Sequence, residues 1–308
     1  MFIRMLSACM RAMPTQIRRI AVWWNILYTK IGGGGYSPDP ELDSTWPTAM
    51  QPPVKLRSGY LTQLNLRDWL ERRAYFSGHY YQHDIELLLQ RLLRPGDIWI
   101  DVGANIGLVS LIAAGRIGAR GRGYAFEPNP DVYRRLVGHM SLNKISYLSC
   151  KNVALGSEPG VAKLSRPVHS GQGSLVHSDD AGGDRIDVPV VRGDDVLSVS
   201  NKDIALVKID VEGYELEVLK GMTRILRHKD TAVIVEVLHT LLRKSGTTAR
   251  ELLDFMIDLD FRPYEFMARS FRFGKSLEVS SLAAIRDNYE GDVLFLKSDS
   301  EFARRLNV

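Results

Sequence analysis

Asp101, Gly103, Asn105 and Gly107 alternate through the stretch DVGANIG, which follows the apolar run IWI and precedes LVSLIAAGRI. An apolar strand, a glycine-bearing turn and a helix start bring the backbone close to a small ligand. Glycine takes the positive φ of a tight turn, and the first N–H groups of the helix stand free at a positive dipole end. Asn tolerates left-handed backbone better than most residues, so Asn105 suits the same turn. The loop is not a strict GxGxxG and alone is a weak dinucleotide signal; a tight turn with no ligand is the plain alternative. Glu127 ends the next apolar run, GYAFE. It lies about 20 residues past Gly107, the separation at which an acid accepts hydrogen bonds from ribose hydroxyls. Loop and acid together specify a nucleoside. A dinucleotide would need its pyrophosphate cradled by the loop. S-adenosylmethionine instead brings an amino-acid end whose ammonium wants a carboxylate, and Asp101 beside the loop favours it. The expected donor-binding set is Asp101, Gly103, Ala104, Asn105, Gly107 and Glu127, with Asn152 for the adenine edge.

These residues need a scaffold, and the chain after Ile98 supplies one. Short apolar runs at 98–102, 123–127, 148–155, 204–210, 232–237, 261–266 and 292–297 read as strands. Helical patterns lie between most of them, including PDVYRRLVGHMSLN, YELEVLKGMTRILRH and TARELLDFMIDLD. The alternation implies an α/β fold with a parallel sheet covered on both faces. In such a sheet the ligand sits beyond the carboxyl ends of the strands. Five successive ends are polar: Asp101, Glu127, Asn152, Asp210 and Glu236. A shared polar ligand site explains that better than chance. Residues 156–203, rich in Gly, Ser and Asp, break the rhythm and read as an insertion with short strands such as RIDVPVV.

The motifs DVGANIG, FEPNP, NVALG, GQGSL followed by DDV, and above all KIDVEGYELEVLKGM resemble, in order, the FkbM-type S-adenosylmethionine-dependent methyltransferases. The resemblance runs from about Val54 to Lys297 and leaves the first fifty or so residues uncovered. It implies a class I methyltransferase fold, Rossmann-like, with seven mostly parallel strands, the last antiparallel, and helices on both faces. It also implies methylation at oxygen, on a hydroxyl of a carbohydrate, glycolipid or polyketide-like metabolite.

Methyl transfer from a sulfonium is an in-line displacement that needs the acceptor oxygen held close and a base to take its proton. Asp210 and Glu212, one residue apart at the end of the fourth strand, stand where that acceptor belongs. Three readings of the pair stay open: general base and substrate holder, ligands of a divalent metal, or an anchor for loop amides. Carboxylates without a nearby His make a thin metal site, and none is assigned. Glu236 and His239 would orient the acceptor hydroxyl, although a lone His often bonds local backbone instead. His79 and His83 in GHYYQHD would share a face if that stretch is helical, and with Tyr80 and Tyr81 could cover the methionine end of the donor. Asp194 and Asp195 in RGDDV read as turn or helix caps, and HSGQGSL (169–175) as a substrate-side loop.

Composition limits the rest. The 308 residues are 45 % hydrophobic and 25 % charged with net charge +4, which suits a large domain with an appendage. The division expected is a basic helical segment and Gly/Pro-rich linker to residue 53, a lead-in hairpin and helix over 54–97, the methyltransferase domain over 98–300 and a tail over 301–308. No run approaches the roughly 18 apolar residues of a membrane span. With only Cys9 and Cys150, a reducing, cytoplasmic setting is expected. The start RRIAVWWNILYTK reads first as a helix packed by its apolar face, with peripheral membrane contact or an acidic partner as the alternative. An aromatic–proline motif for a flipped base is absent, which argues against nucleic acid. The rival readings are a nicotinamide-dependent oxidoreductase on a similar sheet and a binding module without turnover; oligomeric state is left open.

Overall fold

The computed structural model describes residues 50–80, 82–165, 175, 185–197, 204–271, 274–282 and 288–308. The N-terminal basic segment and most of HSGQGSL lie outside them. The chain divides into two compact units, Met1–Tyr81 and Gln82–Val308.

In the first unit β1 (Val54–Lys55) pairs antiparallel with β2 (Leu61–Thr62), joined through Gly59 at φ 92°. Helix α1 (Trp69–Ser77) starts at Asp68, whose carboxylate accepts the amides of Leu70 and Glu71, and ends at left-handed Gly78. Such caps satisfy amides and carbonyls that a helix leaves unpaired at its ends. The Gly78 cap stops the helix before His79, so His79 and His83 do not share one helix face.

The second unit is built on one large sheet. Its strands are β3 (Ile98–Val102), β4 (Arg122–Phe126), β5 (Leu148–Lys151), β9 (Leu206–Ile209), β10 (Ala232–Leu238), β11 (Phe261–Phe271), β12 (Gly274–Ser281) and β13 (Glu290–Lys297). Between them in sequence, β6 (Ala154–Leu155), β7 (Gly160–Ser165) and β8 (Arg185–Val191) form a separate three-stranded sheet in the order β6-β8-β7. The large sheet runs β12-β11-β13-β10-β9-β3-β4-β5. Strands β5, β4, β3, β9 and β10 are mutually parallel, whereas β13 inserts antiparallel between β10 and β11.

Two expectations are corrected. The sheet has eight strands rather than seven, because 261–266 extends to Phe271 and turns back as β12. The apolar run 148–155 is not one strand: it breaks at Asn152, after which β6 joins the small sheet. The final strand is antiparallel as expected and lies inside the sheet, between β10 and β11.

The helices α2 (His83–Leu92), α3 (Leu108–Ile117), α4 (Pro130–Leu142), α5 (Gly193–Val196), α6 (Glu215–Lys220), α7 (Thr223–Leu226), α8 (His239–Lys244), α9 (Ala249–Asp258) and α10 (Glu301–Leu306) complete the unit. The tail thus ends in a helix, capped by the Ser300 hydroxyl. The pattern 214–228 is two helices, α6 and α7. They part at Gly221, where an added Cβ would lie 2.0 Å from the Gly156 carbonyl oxygen. Asp194 accepts the amides of Arg224 and Ile225 and so caps α7, as the sequence suggested for it. Thr248 and Glu251 form a capping box on α9, which buries Leu252, Leu253 and Met256 against the sheet core of Val207, Ile209, Val233, Val235 and Phe261. Each such side chain contributes about 1.5–3 kcal/mol. No helix among the described residues is long and apolar enough to cross a membrane.

Candidate active site

The donor loop follows β3. Gly103, Asn105 and Gly107 all take positive φ, at 80°, 51° and 85°. At Gly103 the requirement is double, because a Cβ there would lie 1.8 Å from the main-chain oxygen of Asp210. The loop is therefore pressed against the end of β9, and the Asp210 amide also donates to the Val102 carbonyl at 3.0 Å. His139 of α4, buried, approaches the Ile106 carbonyl with Nδ1 at 2.7 Å and pins the loop from the helix side.

All five loop amides are committed within the protein. Those of Gly103 and Ala104 donate to Phe126 O, that of Asn105 to Glu127 Oε2, that of Ile106 to Asn105 Oδ1 and that of Gly107 to Ala104 O. A pyrophosphate would find none of these five free, which weighs against the nicotinamide reading.

Glu127 follows β4. Its two oxygens each accept one amide, from Asn105 and from Asn129, both at 2.9 Å. A carboxylate offers about four lone-pair sites, so one on each oxygen remains for a vicinal diol. Burial pushes its carboxyl up to about 7, against the downward pull of the two amides. Asn152 donates through Nδ2 to the carbonyls of Glu127 and Pro128, at 2.8 and 2.9 Å, and so braces the acid's main chain.

Asp101 is 1 % exposed. One oxygen accepts from Ser110 Oγ and the other, Oδ1, is buried without a hydrogen-bond partner. Burial raises its carboxyl, and the Lys208 ammonium opposes that rise. From its place beside the loop Asp101 is expected to meet the donor's ammonium; the structure surrounds it with protein neighbours and leaves one oxygen orphaned. That orphan and the spare lone pairs of Glu127 are the features here that fit a donor with an ammonium and a ribose.

Next to this loop, the carboxyl ends of β9 and β10 carry a cluster of acids. The register that pairs Ile209 with Val235 sets Asp210 alongside Glu236, and Glu236 faces Asp292 across β13. Asp210, Glu212 and Glu236 bring one oxygen each to within 4.8 Å of one another. Lys208, 2 % exposed, places Nζ 2.6 Å from Asp210 Oδ2. Burial raises the Asp210 carboxyl, but the charge and hydrogen bond of Lys208 together with a hydrogen bond from Glu236 outweigh it and hold the group below the usual range. The other acids move the opposite way. Burial, with Asp210 and Asp292 adding to it, pushes Glu236 up to about 11. Burial and the charges of Asp210 and Glu215 push Glu212 to about 8. Asp292, whose Oδ2 accepts from Gln82 at 3.2 Å, rises to about 7 through burial. Asp210 is thus held toward its ionised form by its ion pair, while burial and like charge favour the protonated form of Glu236 and Glu212.

Glu212 sits at φ 57° in a turn shaped by Glu215, whose Oε1 accepts the amides of Val211 and Gly213 at 3.2 and 2.9 Å. Of the two glutamates of VEGYE, Glu215 is thus the anchor and Glu212 the group its turn presents. His239 opens α8 just beyond β10, and its amide donates to the Tyr289 carbonyl. No hydrogen bond of the described residues joins its ring to the carboxylates.

Sequence reasoning missed Lys208, Asp292, Glu215 and His139. Lys208 had a signal, a lone cation inside the apolar run IALVKI, because a buried ammonium needs a carboxylate partner.

A parallel sheet flanked by an antiparallel insertion, with a glycine turn after its first strand and an acid after its second, defines a class I methyltransferase, here with β12 added at the edge. Residues 101–263, over half of the chain, match the Methyltransferase FkbM domain, and the protein belongs to that family. Its methyl donor is S-adenosylmethionine. The hexuronic acid methyltransferase AglP of Haloferax volcanii is 30 % identical over 157 residues, covering 51 % of this chain and 62 % of that protein. Methyltransferase sdnD of Sordaria araneosa is 32 % identical over 154 residues, covering 40 % of this chain and 59 % of that one. The chain therefore spans about three fifths of each of these relatives. Among solved structures, methyltransferase FkbM from Methylobacillus flagellatus aligns with 18 % identity and a TM-score of 0.41, covering 72 % of this chain and 51 % of that one.

Proposed function

We propose that the protein is an O-methyltransferase that moves the methyl group of S-adenosylmethionine to a hydroxyl of a carbohydrate, glycolipid or polyketide-like metabolite. The observation that carries this reading is the Asp210 carboxylate, paired with the buried Lys208 ammonium, clustered with Glu212 and Glu236 and in main-chain contact with the donor loop. The AglP relative, which acts on a hexuronic acid, supports a carbohydrate acceptor.

When bound, S-adenosylmethionine supplies an electrophilic methyl group on a sulfonium. Glu127 would accept the two ribose hydroxyls on its remaining lone pairs, and the orphaned Oδ1 of Asp101 would meet the ammonium. Asp210 would accept the hydrogen of the acceptor hydroxyl and take its proton as the O–CH3 bond forms and the S–CH3 bond breaks, so that Asp210 ends as the carboxylic acid and S-adenosylhomocysteine leaves as the neutral thioether. A hydroxyl becomes acidic only as that bond forms, so a carboxylate ionised at neutral pH is a competent acceptor despite its low basicity. Glu212, protonated, would donate a hydrogen bond to the acceptor, and Glu236, whose proton goes to Asp210, would orient the acceptor through that carboxylate. His239 would contribute from the start of α8. Positioning then supplies most of the acceleration.

Incubation with labelled S-adenosylmethionine and a panel of sugars, uronic acids, glycolipids and polyketides tests the reading. Transfer to a hydroxyl is expected, with Asp210→Asn slower by about 10²–10⁴-fold. Transfer at nitrogen or carbon, or an undiminished rate in Asp210→Asn, would overturn it.

A further inference from the structure

Lys208 is the one charged residue of β9, in a strand whose other members, Leu206, Val207 and Ile209, are fully buried. An ammonium removed from water into a sheet is unfavourable unless carboxylates surround it. Three do, from three strands. Asp101 is its register neighbour on β3, Asp210 lies two residues on at 2.6 Å, and Asp292 of β13 is close enough to be felt electrostatically. Of these, the ammonium bonds to the carboxylate whose main chain touches Gly103 and Val102 of the donor segment. Lys208 therefore stands between the acid at the root of the donor loop and the acid of the acceptor side.

We propose that Lys208 is a positioning residue for methyl transfer: its buried ammonium fixes the Asp210 carboxylate as the proton acceptor of the cluster and ties it to Asp101 at the donor loop. This rests on the reading of Asp210 as the base. The charged and titratable groups facing Asp210 are Lys208, Asp101 on β3, Asp292 on β13, Glu236 from β10, Glu212 from the turn, Glu215 from α6 and Glu127 after β4. Lys208 is the cation among them. Without it Asp210 would compete with Glu236 and Glu212 for protons on more equal terms, and the ionised site would no longer be fixed at one oxygen pair.

The test uses the full chain as wild type, Lys208→Met, Lys208→Arg, Asp210→Asn and the double variant Lys208→Met/Asp210→Asn. The double variant removes both charges and reports on folding if Lys208→Met alone unfolds. Carbon-13 carboxyl NMR, with Asp210 assigned by its loss in Asp210→Asn, follows ionisation without an acceptor. Lys208→Met is expected to raise the Asp210 midpoint by more than about one pH unit, and Lys208→Arg to restore most of it. Binding of S-adenosylhomocysteine, measured by calorimetry, should weaken by clearly less than kcat falls, because Asp101 is the one donor-side acid beside Lys208. With methyl glucoside and methyl glucuronoside as probe acceptors, kcat should fall by about tenfold or more. The acid limb of the rate profile should follow the NMR midpoint upward, and the double variant should be no slower than Asp210→Asn.

An unmoved Asp210 midpoint in folded Lys208→Met, a midpoint in Lys208→Arg as high as in Lys208→Met, donor binding lost in step with rate, or losses that multiply in the double variant would each overturn the proposal. Failure of wild type to methylate either probe counts against the acceptor reading instead, and the NMR arm alone then decides the role of Lys208.

Discussion

Gly103→Ala tests the claim that the donor loop and the proton acceptor are one packed unit. Two costs are expected, and they can be separated. The first is backbone strain, since alanine at φ 80° is disfavoured by about 1–2 kcal/mol. The second is overlap: the new Cβ would lie 1.8 Å from the Asp210 main-chain oxygen, a backbone atom that cannot rotate away. Relief requires the loop and the end of β9 to separate by about 1.5 Å, and overpacking of this kind costs about 1–3 kcal/mol. Gly246→Ala supplies the control, because Gly246 also sits at φ 80° but a Cβ there meets nothing within 4 Å. The two variants should share the strain, and only Gly103→Ala should carry the overlap. In thermal unfolding the control should lose a few degrees and Gly103→Ala about twice as much. The kinetic difference should be larger, since a displacement of about 1 Å between donor and base lowers kcat by about 10²-fold. Equal melting temperatures and equal rates for the two variants would refute the reasoning.

Glu127→Gln should weaken S-adenosylhomocysteine binding by about ten- to a hundredfold in calorimetry, because each hydrogen bond to a charged group contributes about 1.5–3 kcal/mol. In wild type that affinity should strengthen as pH rises through about 7, where Glu127 ionises, and the dependence should vanish in the variant; a flat wild-type profile would remove Glu127 from the diol. Free-protein stability should fall as pH rises. Glu127, Glu215 and Asp292 at about 7 and Glu212 at about 8 are all raised above their unfolded values, so the folded chain binds more protons in that window. Their stabilisation is full below the unfolded values and is lost as pH climbs through the folded ones, whereas Asp210, lowered, acts in the opposite sense only at acid pH. Melting temperatures followed from about pH 5 to about pH 8 should decline, and a rise across that range would sink the assignment of these shifts.

What could be read from the chain depended on how local the cause was. The loop after β3 was legible because its requirements are local: glycines and an asparagine at alternate positions have few uses other than positive φ, and three of them adopt it. The strand ends were legible because apolar runs that stop on an acid are visible in one dimension. The division of labour among the acids was not. Asp210 and Glu236 are both carboxylates closing apolar strands, yet one is held ionised and the other protonated. The difference is a lysine two residues upstream of the first and an aspartate facing the second from β13, 56 residues further along the chain. Likewise Glu212 and Glu215 look interchangeable in VEGYE until the turn shows one bonded to the amides that present the other. The eighth strand escaped notice for a related reason, because GKSLEVSS carries too little apolar alternation to announce itself and exists as the partner of an extended β11. Residue types thus single out the acids at the strand ends, while the charge state each favours depends on which neighbours, in sequence or across the sheet, stand beside it.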